Sequence, residues 1–215
     1  MPKQVDHEER RRRIAEAVCA LIDAQGFEGV TLRDVATRAD VSMGAVQRCF
    51  RTKEEMLQFA LAHIGARVTE RAHGRVVGSP AQSAESTVGH VVGEVALLRD
   101  EHRAEARIWL AFLAAAAVNP ALAAGLRTSY ADLEGLLAGL IAEASGAADA
   151  ADAADATATA VRREARSAAR TLLALADGLT AHVLIGHRTA AEAEDLLHAH
   201  LAGLWEAAAG TTAGR

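Results

Sequence analysis

The sequence predicts an all-α protein of nine helices, on three observations. Alanine runs through every segment after residue 14, while aromatic residues make up only 3% of the 215-residue chain. That composition favours helix and leaves few strand formers. Apolar residues recur at spacings of three and four, and helix-capping sequences punctuate the chain between them.

The first helix carries Ile14, Val18, Leu21 and Ile22 on one stripe, from near Arg10 to a C-terminal cap at Gly26. Thr31-Leu32-Arg33-Asp34 opens a short second helix with Leu32, Val35, Ala36 and Ala39 inward. Ser42 caps a third, to about Cys49. Thr52-Lys53-Glu54-Glu55 opens a long fourth helix that Gly74 and Gly78 close. Ser79-Pro80-Ala81-Gln82 combines an N-cap with a proline at the first helical position, so a fifth helix follows. A break near Asp100 precedes a sixth, about 102–117, and Asn119-Pro120 starts a seventh that ends near Ser145-Gly146. Residues 146–160, almost all Ala, Asp, Thr and Gly, read as a mobile connector. The eighth helix spans about 160–186, Thr189-Ala190-Ala191-Glu192 opens the ninth, and Gly210–Arg215 reads as a disordered tail.

The residues are 51% hydrophobic and 24% charged, the proportions of a globular protein. The longest apolar run, Trp109 to Val118, falls far short of the roughly 20 residues of a membrane span. No signal-peptide core precedes it, and two cysteines, Cys19 and Cys49, give no disulfide framework. These features predict a cytoplasmic protein without membrane contact. The net charge of −5 is unevenly spread: within 31–53, Arg33, Arg38, Arg48, Arg51 and Lys53 face only Asp34 and Asp40. A phosphate responds to that local excess, not to the total, within a screening length of about 10 Å.

The second and third helices read as a helix-turn-helix. Ala36 is the small residue where the two would cross, Asp40 stands where the turn needs a left-handed residue, and Val41, Val46 and Phe50 lock the angle. The order Gly26-Phe27, Val30-Thr31-Leu32-Arg33-Asp34-Val35-Ala36, Val41-Ser42-Met43-Gly44 and Phe50-Arg51-Thr52-Lys53-Glu54-Glu55-Met56-Leu57 resembles the DNA-binding domain of the tetracycline-repressor (TetR) family over roughly residues 10–60. The resemblance implies a TetR-like architecture: a helix-turn-helix DNA-binding domain over 1–55, and a helical effector-binding and dimerisation domain over 56–215. It further implies that Thr31, Ser42, Gly44 and Lys53 approach phosphates. Arg33 and Met43 join the contact set, Gln47 can bond a phosphate or read adenine, and Arg48 can grip guanine or a phosphate. The sequence departs from the family pattern at Gln47 and Cys49.

The expected function is a homodimeric repressor that binds a palindromic operator in double-stranded DNA and is released by a small-molecule effector. The alternatives are an effector-independent or activating DNA-binding regulator and, further off, an all-α enzyme with a vestigial DNA domain. Candidate pocket residues by type are His63, Arg67, Trp109, Phe112, Tyr130, Glu134 and Asp177. Asp177-Gly178 inside an apolar helix reads as a pocket carboxylate or a close-packing site, and Gly135 with Gly139 as tight helix packing. Leu172, Leu175, Leu179 and Val183 with Leu197, Leu201, Leu204 and Trp205 read as the dimer interface, each also able to serve only the chain's own core. The nine histidines show no metal-ligand spacing, and no phosphate loop or nucleophile elbow occurs, so neither cofactor, metal nor catalysis is expected.

Overall fold

The computed structural model describes residues 2–78, 83–145 and 156–213, with side chains over 7–78, 83–145 and 159–207. Among these are nine α-helices and no strand: α1 (Pro2–Gln25), α2 (Leu32–Arg38), α3 (Met43–Cys49), α4 (Lys53–Gly78), α5 (Ala84–Val95), α6 (Arg103–Ala116), α7 (Pro120–Ala144), α8 (Ala156–Leu184) and α9 (Ala190–Ala213). A single 3₁₀ turn, Asp100–His102, precedes α6.

Most of the helix ends follow from local side-chain chemistry. Gly26 closes α1 at φ 77°, its N–H donating to Ile22 O over 2.9 Å. The Asn119 carboxamide oxygen accepts from the backbone N–H groups of Ala121 and Leu122. Thr189 and Glu192 form a reciprocal box: each side chain accepts the other residue's N–H, at 3.2 and 2.8 Å.

Five features of the helices differ from the sequence reading. Helix α1 begins at Pro2, not near Arg10. Gly74 lies inside α4, where a single glycine lowers helix propensity by about 1 kcal/mol without ending the helix. Ser83 caps α5, accepting from Ser86 N–H at 3.2 Å, whereas 79–82 lie outside the described residues. Residues 156–160, three of them alanine, are the first turn of α8, where alanine's helix preference overrides the low-complexity impression, and α9 continues through Gly210–Ala213. The rest of the predicted connector, 146–155, and the last two residues lie outside the described set.

The chain packs as two compact units, Met1–Arg67 with Ala104–Ser129, and Val68–Arg103 with Tyr130–Arg215. The first is centred on Ile14, Val18, Val35, Val46, Phe50, Met56, Leu57, Phe112 and Leu122. Each such fully buried side chain stabilises the fold by about 1.5–3 kcal/mol. Arg11 adds a cationic brace, its guanidinium 4.8 Å from the Phe50 ring centroid and 4.3 Å from that of Phe59.

The second unit is centred on Val88, Val92, Leu137, Leu172, Leu179 and Leu197. Within it Glu94 is wholly buried. Its carboxylate accepts from Arg71 Nε at 3.0 Å and Arg99 Nη1 at 3.0 Å, is paired with Arg75, and lies 3.6 Å from His102 Nε2. Burial by itself would raise the Glu94 carboxyl; the Arg71 hydrogen bond and the charges of Arg75, His102 and Arg99 outweigh it and hold the group below its ordinary value. Beside this cluster Leu97 takes a left-handed backbone, φ 48°, with its side chain buried. The Thr180 hydroxyl donates to the neighbouring Ala96 carbonyl at 2.6 Å.

Candidate functional site

The α2–α3 corner is built from its caps outward. Thr31 Oγ1 accepts from Asp34 N–H at 3.2 Å and donates to the Asp34 carboxylate at 2.6 Å, so α2 starts at Leu32. At the other end Val41 N–H donates to Ala36 O over 3.0 Å and Asp40 N–H to Thr37 O over 3.3 Å. That is a Schellman closure, and it needs a left-handed residue at Asp40, which adopts φ 52°. A short acidic side chain tolerates this where most residues do not. Arg13 reinforces the corner, donating to Ala39 O at 2.8 Å and reaching Asp40 O at 3.5 Å. Ser42 Oγ then accepts from Ala45 N–H at 3.1 Å and starts α3.

This corner turns Val46, Cys49 and Phe50 inward and leaves Ser42, Met43, Gln47 and Arg48 exposed, with Met43 at 48%. Thr31 and Arg33 are exposed, and Lys53 and Gly44 are half-buried. A Cβ on Gly44 would meet only Arg48 Nη1, at an ordinary 3.6 Å. The chain's own packing therefore does not demand glycine there, although glycine within a helix lowers stability by about 0.5–1 kcal/mol. Of the two positions where the sequence departs from the family pattern, Cys49 is buried and Gln47 is exposed. Burial also pushes the Cys19 thiol up to about 12 against the opposing Arg67 charge, so Cys19 stays protonated. Arg11 and Arg13 of α1 are engaged within the fold.

The seven candidate pocket residues are not brought together within either unit. His63, Arg67, Trp109 and Phe112 belong to the first. There Phe112 is fully buried edge-on to Phe27 at 5.4 Å, Arg67 pairs with Glu105 at 2.9 Å, and burial holds His63 below its ordinary value. Trp109 packs partly buried against the same core. Tyr130, Glu134 and Asp177 belong to the second. Tyr130 donates its hydroxyl to Asp177, and Glu134 pairs with Arg170 at 3.0 Å and Arg166 at 3.7 Å. Asp177 is thus explained by Tyr130. The space beside Gly178, Gly135 and Gly139 is open, so none of the three marks close packing within the chain.

A cavity of about 250 Å³ does lie in the second unit, lined by Val68, Thr69, Ala72, His73 and Val76 of α4, Thr87, Val91 and Val95 of α5, and Leu133, Leu136 and Leu140 of α7. None of the seven candidates lines it. Its walls are aliphatic residues that read as ordinary core in sequence, and no local signal separates the two.

Leu172, Leu179, Leu197 and Leu201 are buried in the chain's own core, and Leu175, Val183, Leu204 and Trp205 pack partly buried against it. The four leucines cannot face a partner. A charge at Leu201 would enter that core, where an unpaired polar group costs several kcal/mol. Leu201→Glu is therefore expected to lower stability by about 3 kcal/mol or more in urea unfolding; a folded monomer in sedimentation would contradict this. The exposed positions of α8 include Ala174 and Gly178 and those of α9 Leu196, Ala199 and Gly203, beside charged residues such as Arg166, Arg170, Glu192 and Asp195, and Ile185 is exposed just past the end of α8. Among the described residues no group of three metal-ligating side chains occurs, and no helix is long and apolar enough to cross a membrane.

Comparison with known proteins places this geometry in context. Residues 14–59 match the family described as bacterial regulatory proteins, tetR family, and residues 84–206 match that described as BetI-type transcriptional repressor, C-terminal. The HTH-type transcriptional regulator PksA of Bacillus subtilis (strain 168) is 36% identical over 114 residues, a match spanning 53% of this chain and 55% of PksA. The HTH-type transcriptional regulator BetI of Escherichia coli (strain K12 / DH10B) is 28% identical over 179 residues, 83% of this chain and 84% of BetI. A transcriptional regulator from Rhodococcus sp. Rha1 superimposes with a TM-score of 0.74 at 25% identity, covering 92% of this chain and 96% of its own. A putative transcriptional regulator from Saccharomonospora viridis, solved in complex with choline, has a TM-score of 0.69 at 22% identity over 89% of this chain and 94% of its own.

Proposed function

The chain belongs to the tetracycline-repressor family of bacterial regulatory proteins, with a C-terminal part of the BetI repressor type, and from that premise we propose that it acts as a homodimeric repressor released from a palindromic operator by a small molecule. DNA-binding transcriptional regulation is the activity of the family it matches. One observation carries the reading to particular residues: the left-handed turn at Asp40 holds α3 with Ser42, Met43, Gln47 and Arg48 outward beside the half-buried Gly44. In this reading residues 1–55 bind DNA. Thr31, Arg33, Ser42, Gly44 and Lys53 approach phosphates, and Met43, Gln47 and Arg48 meet base edges.

Residues 56–215 supply the effector site and the dimer contact. An exposed stripe of small and apolar residues, Ala174 and Gly178 on α8 with Leu196, Ala199 and Gly203 on α9, supports pairing of two copies about a twofold axis, which sets two recognition helices on successive major-groove faces. The choline bound to the Saccharomonospora viridis regulator supports the small-molecule class of effector, and the relatives' names support a regulatory rather than a catalytic role; in this reading its DNA target places the protein in the cytoplasm. Helix α4 contributes its first half to one unit and its second half to the other. An effector contact on its second half biases the DNA-binding state through a coupling of about 1–3 kcal/mol, a 5- to 150-fold weakening.

Selection of bound duplexes from a random pool is expected to return an inverted repeat with half-sites about one helical turn apart, bound by two protomers. Absent or salt-insensitive binding to every duplex, by a verified dimer, would overturn the proposal.

A further inference from the structure

The cavity between α4, α5 and α7 has a chemistry that its relatives' names do not supply. Ala72 and Val91 form its buried floor, Val68, Val76, Val95, Leu133 and Leu140 its half-buried walls, and Thr69, His73 and Leu136 its exposed mouth. The Thr87 hydroxyl donates to the Ser83 carbonyl at 3.1 Å. Among the described residues no carboxylate, guanidinium or Phe, Tyr or Trp ring lines the space, and His73 at the mouth is its one imidazole. Val68, Ala72 and Val76 recur every four residues along one stripe of α4, and the two arginines beside that stripe are engaged elsewhere. Arg71 and Arg75 are held by Glu94, and Glu94, the carboxylate neighbouring Val95 on α5, is enclosed by those two together with Arg99 and His102. The ion cluster so keeps Arg71, Arg75 and Glu94 out of the lining, and the carboxylates Glu70, Glu85, Asp132, Glu134 and Glu143 on these helices do not line the cavity either.

A quaternary ammonium needs an aromatic cage or an anionic partner to replace its hydration, and this site holds neither. We propose that the cavity takes a neutral, mainly aliphatic molecule with a single polar end at His73, and no cation. The proposal deepens the effector-release reading and rests on it for its regulatory meaning. A benzene-sized guest fills a cavity of about 150 Å³, so about 250 Å³ accommodates roughly ten non-hydrogen atoms. The His73 imidazole at the mouth can exchange one hydrogen bond with a hydroxyl or carbonyl terminus while the chain lies against the valines and leucines.

The test titrates the full-length protein with straight-chain primary alcohols from 1-hexanol to 1-decanol and, separately, with choline chloride, by calorimetry. Operator retention is followed in the same preparation. Affinity should rise about fourfold per methylene and level off near 1-nonanol, with no saturable choline binding. Ala72→Leu, which fills the floor, should weaken the best alcohol at least tenfold. Leu136→Ser changes only the exposed mouth and should weaken it several-fold even if the floor variant fails to fold.

Choline binding without alcohol binding would overturn the ligand class while leaving effector release standing. Alcohol binding undiminished in the folded variants, or no binding of either probe by protein that still holds its operator, would overturn the inference alone. Cavity-dependent alcohol binding by a dimer that holds no duplex would uphold the inference and overturn the repressor reading.

Discussion

Glu94→Ala is expected to lower stability by about 3 kcal/mol, read as a fall in the urea midpoint without a change in slope. The size follows from what the carboxylate holds: it is wholly buried while Arg71, Arg75 and Arg99 converge on it from α4 and the α5–α6 connection, with His102 alongside. The arginines are 29–45% exposed and can turn to water once released, which places the loss at the lower end of the range for breaking a buried pair. Glu94→Gln keeps the volume and removes the charge, so it should lose less. The pH dependence separates charge from packing. Because the folded carboxyl titrates below its ordinary value of 4.5, its stabilisation is fully present above about pH 4.5 and disappears as pH falls through the folded value. The glutamine variant should lack that acid-sensitive component; an acid limb matching the wild type would show that Glu94 is not its source.

Arg48→Ala and Gln47→Ala should relax base preference by about 1–3 kcal/mol at the positions they read, a 5- to 150-fold loss of discrimination, while binding to unrelated duplexes changes little. Lys53→Ala should act oppositely, weakening all duplexes alike and reducing the salt slope by about 1. The contrast rests on placement. Gln47 and Arg48 are exposed on α3, with Arg48 laid back over Gly44, whereas Lys53 is the half-buried first residue of α4. Equal losses across all sequences for all three variants would contradict the assigned roles.

The helix-turn-helix was legible because its determinants are local. Thr31 and Ser42 accept N–H groups three residues on, and Asp40 meets a backbone demand few residue types tolerate. The helices themselves were legible from periodicity and capping, while their ends blurred where alanine-rich stretches carry helix without apolar markers. The Glu94 cluster was not legible. Its members lie at 71, 75, 94, 99 and 102, each resembling a solvated surface charge until the fold brings them to one carboxylate. Nor could the stripe Leu172–Leu179 declare whether the surface it meets belongs to its own chain or a second copy, since both demand the same amphipathic spacing. The cavity failed to show for a related reason: aliphatic side chains beside a void have the same sequence signature as those in a filled core.

The corner at Leu97 is pinned by two opposed requirements. Its left-handed backbone would be eased by glycine, yet its side chain is 5% exposed and belongs to the interior. Removing that side chain opens a hole, and a β-branched replacement worsens the torsion. No single exchange satisfies both, so in a diverging lineage this site should resist drift more stubbornly than the roomier aliphatic positions around it.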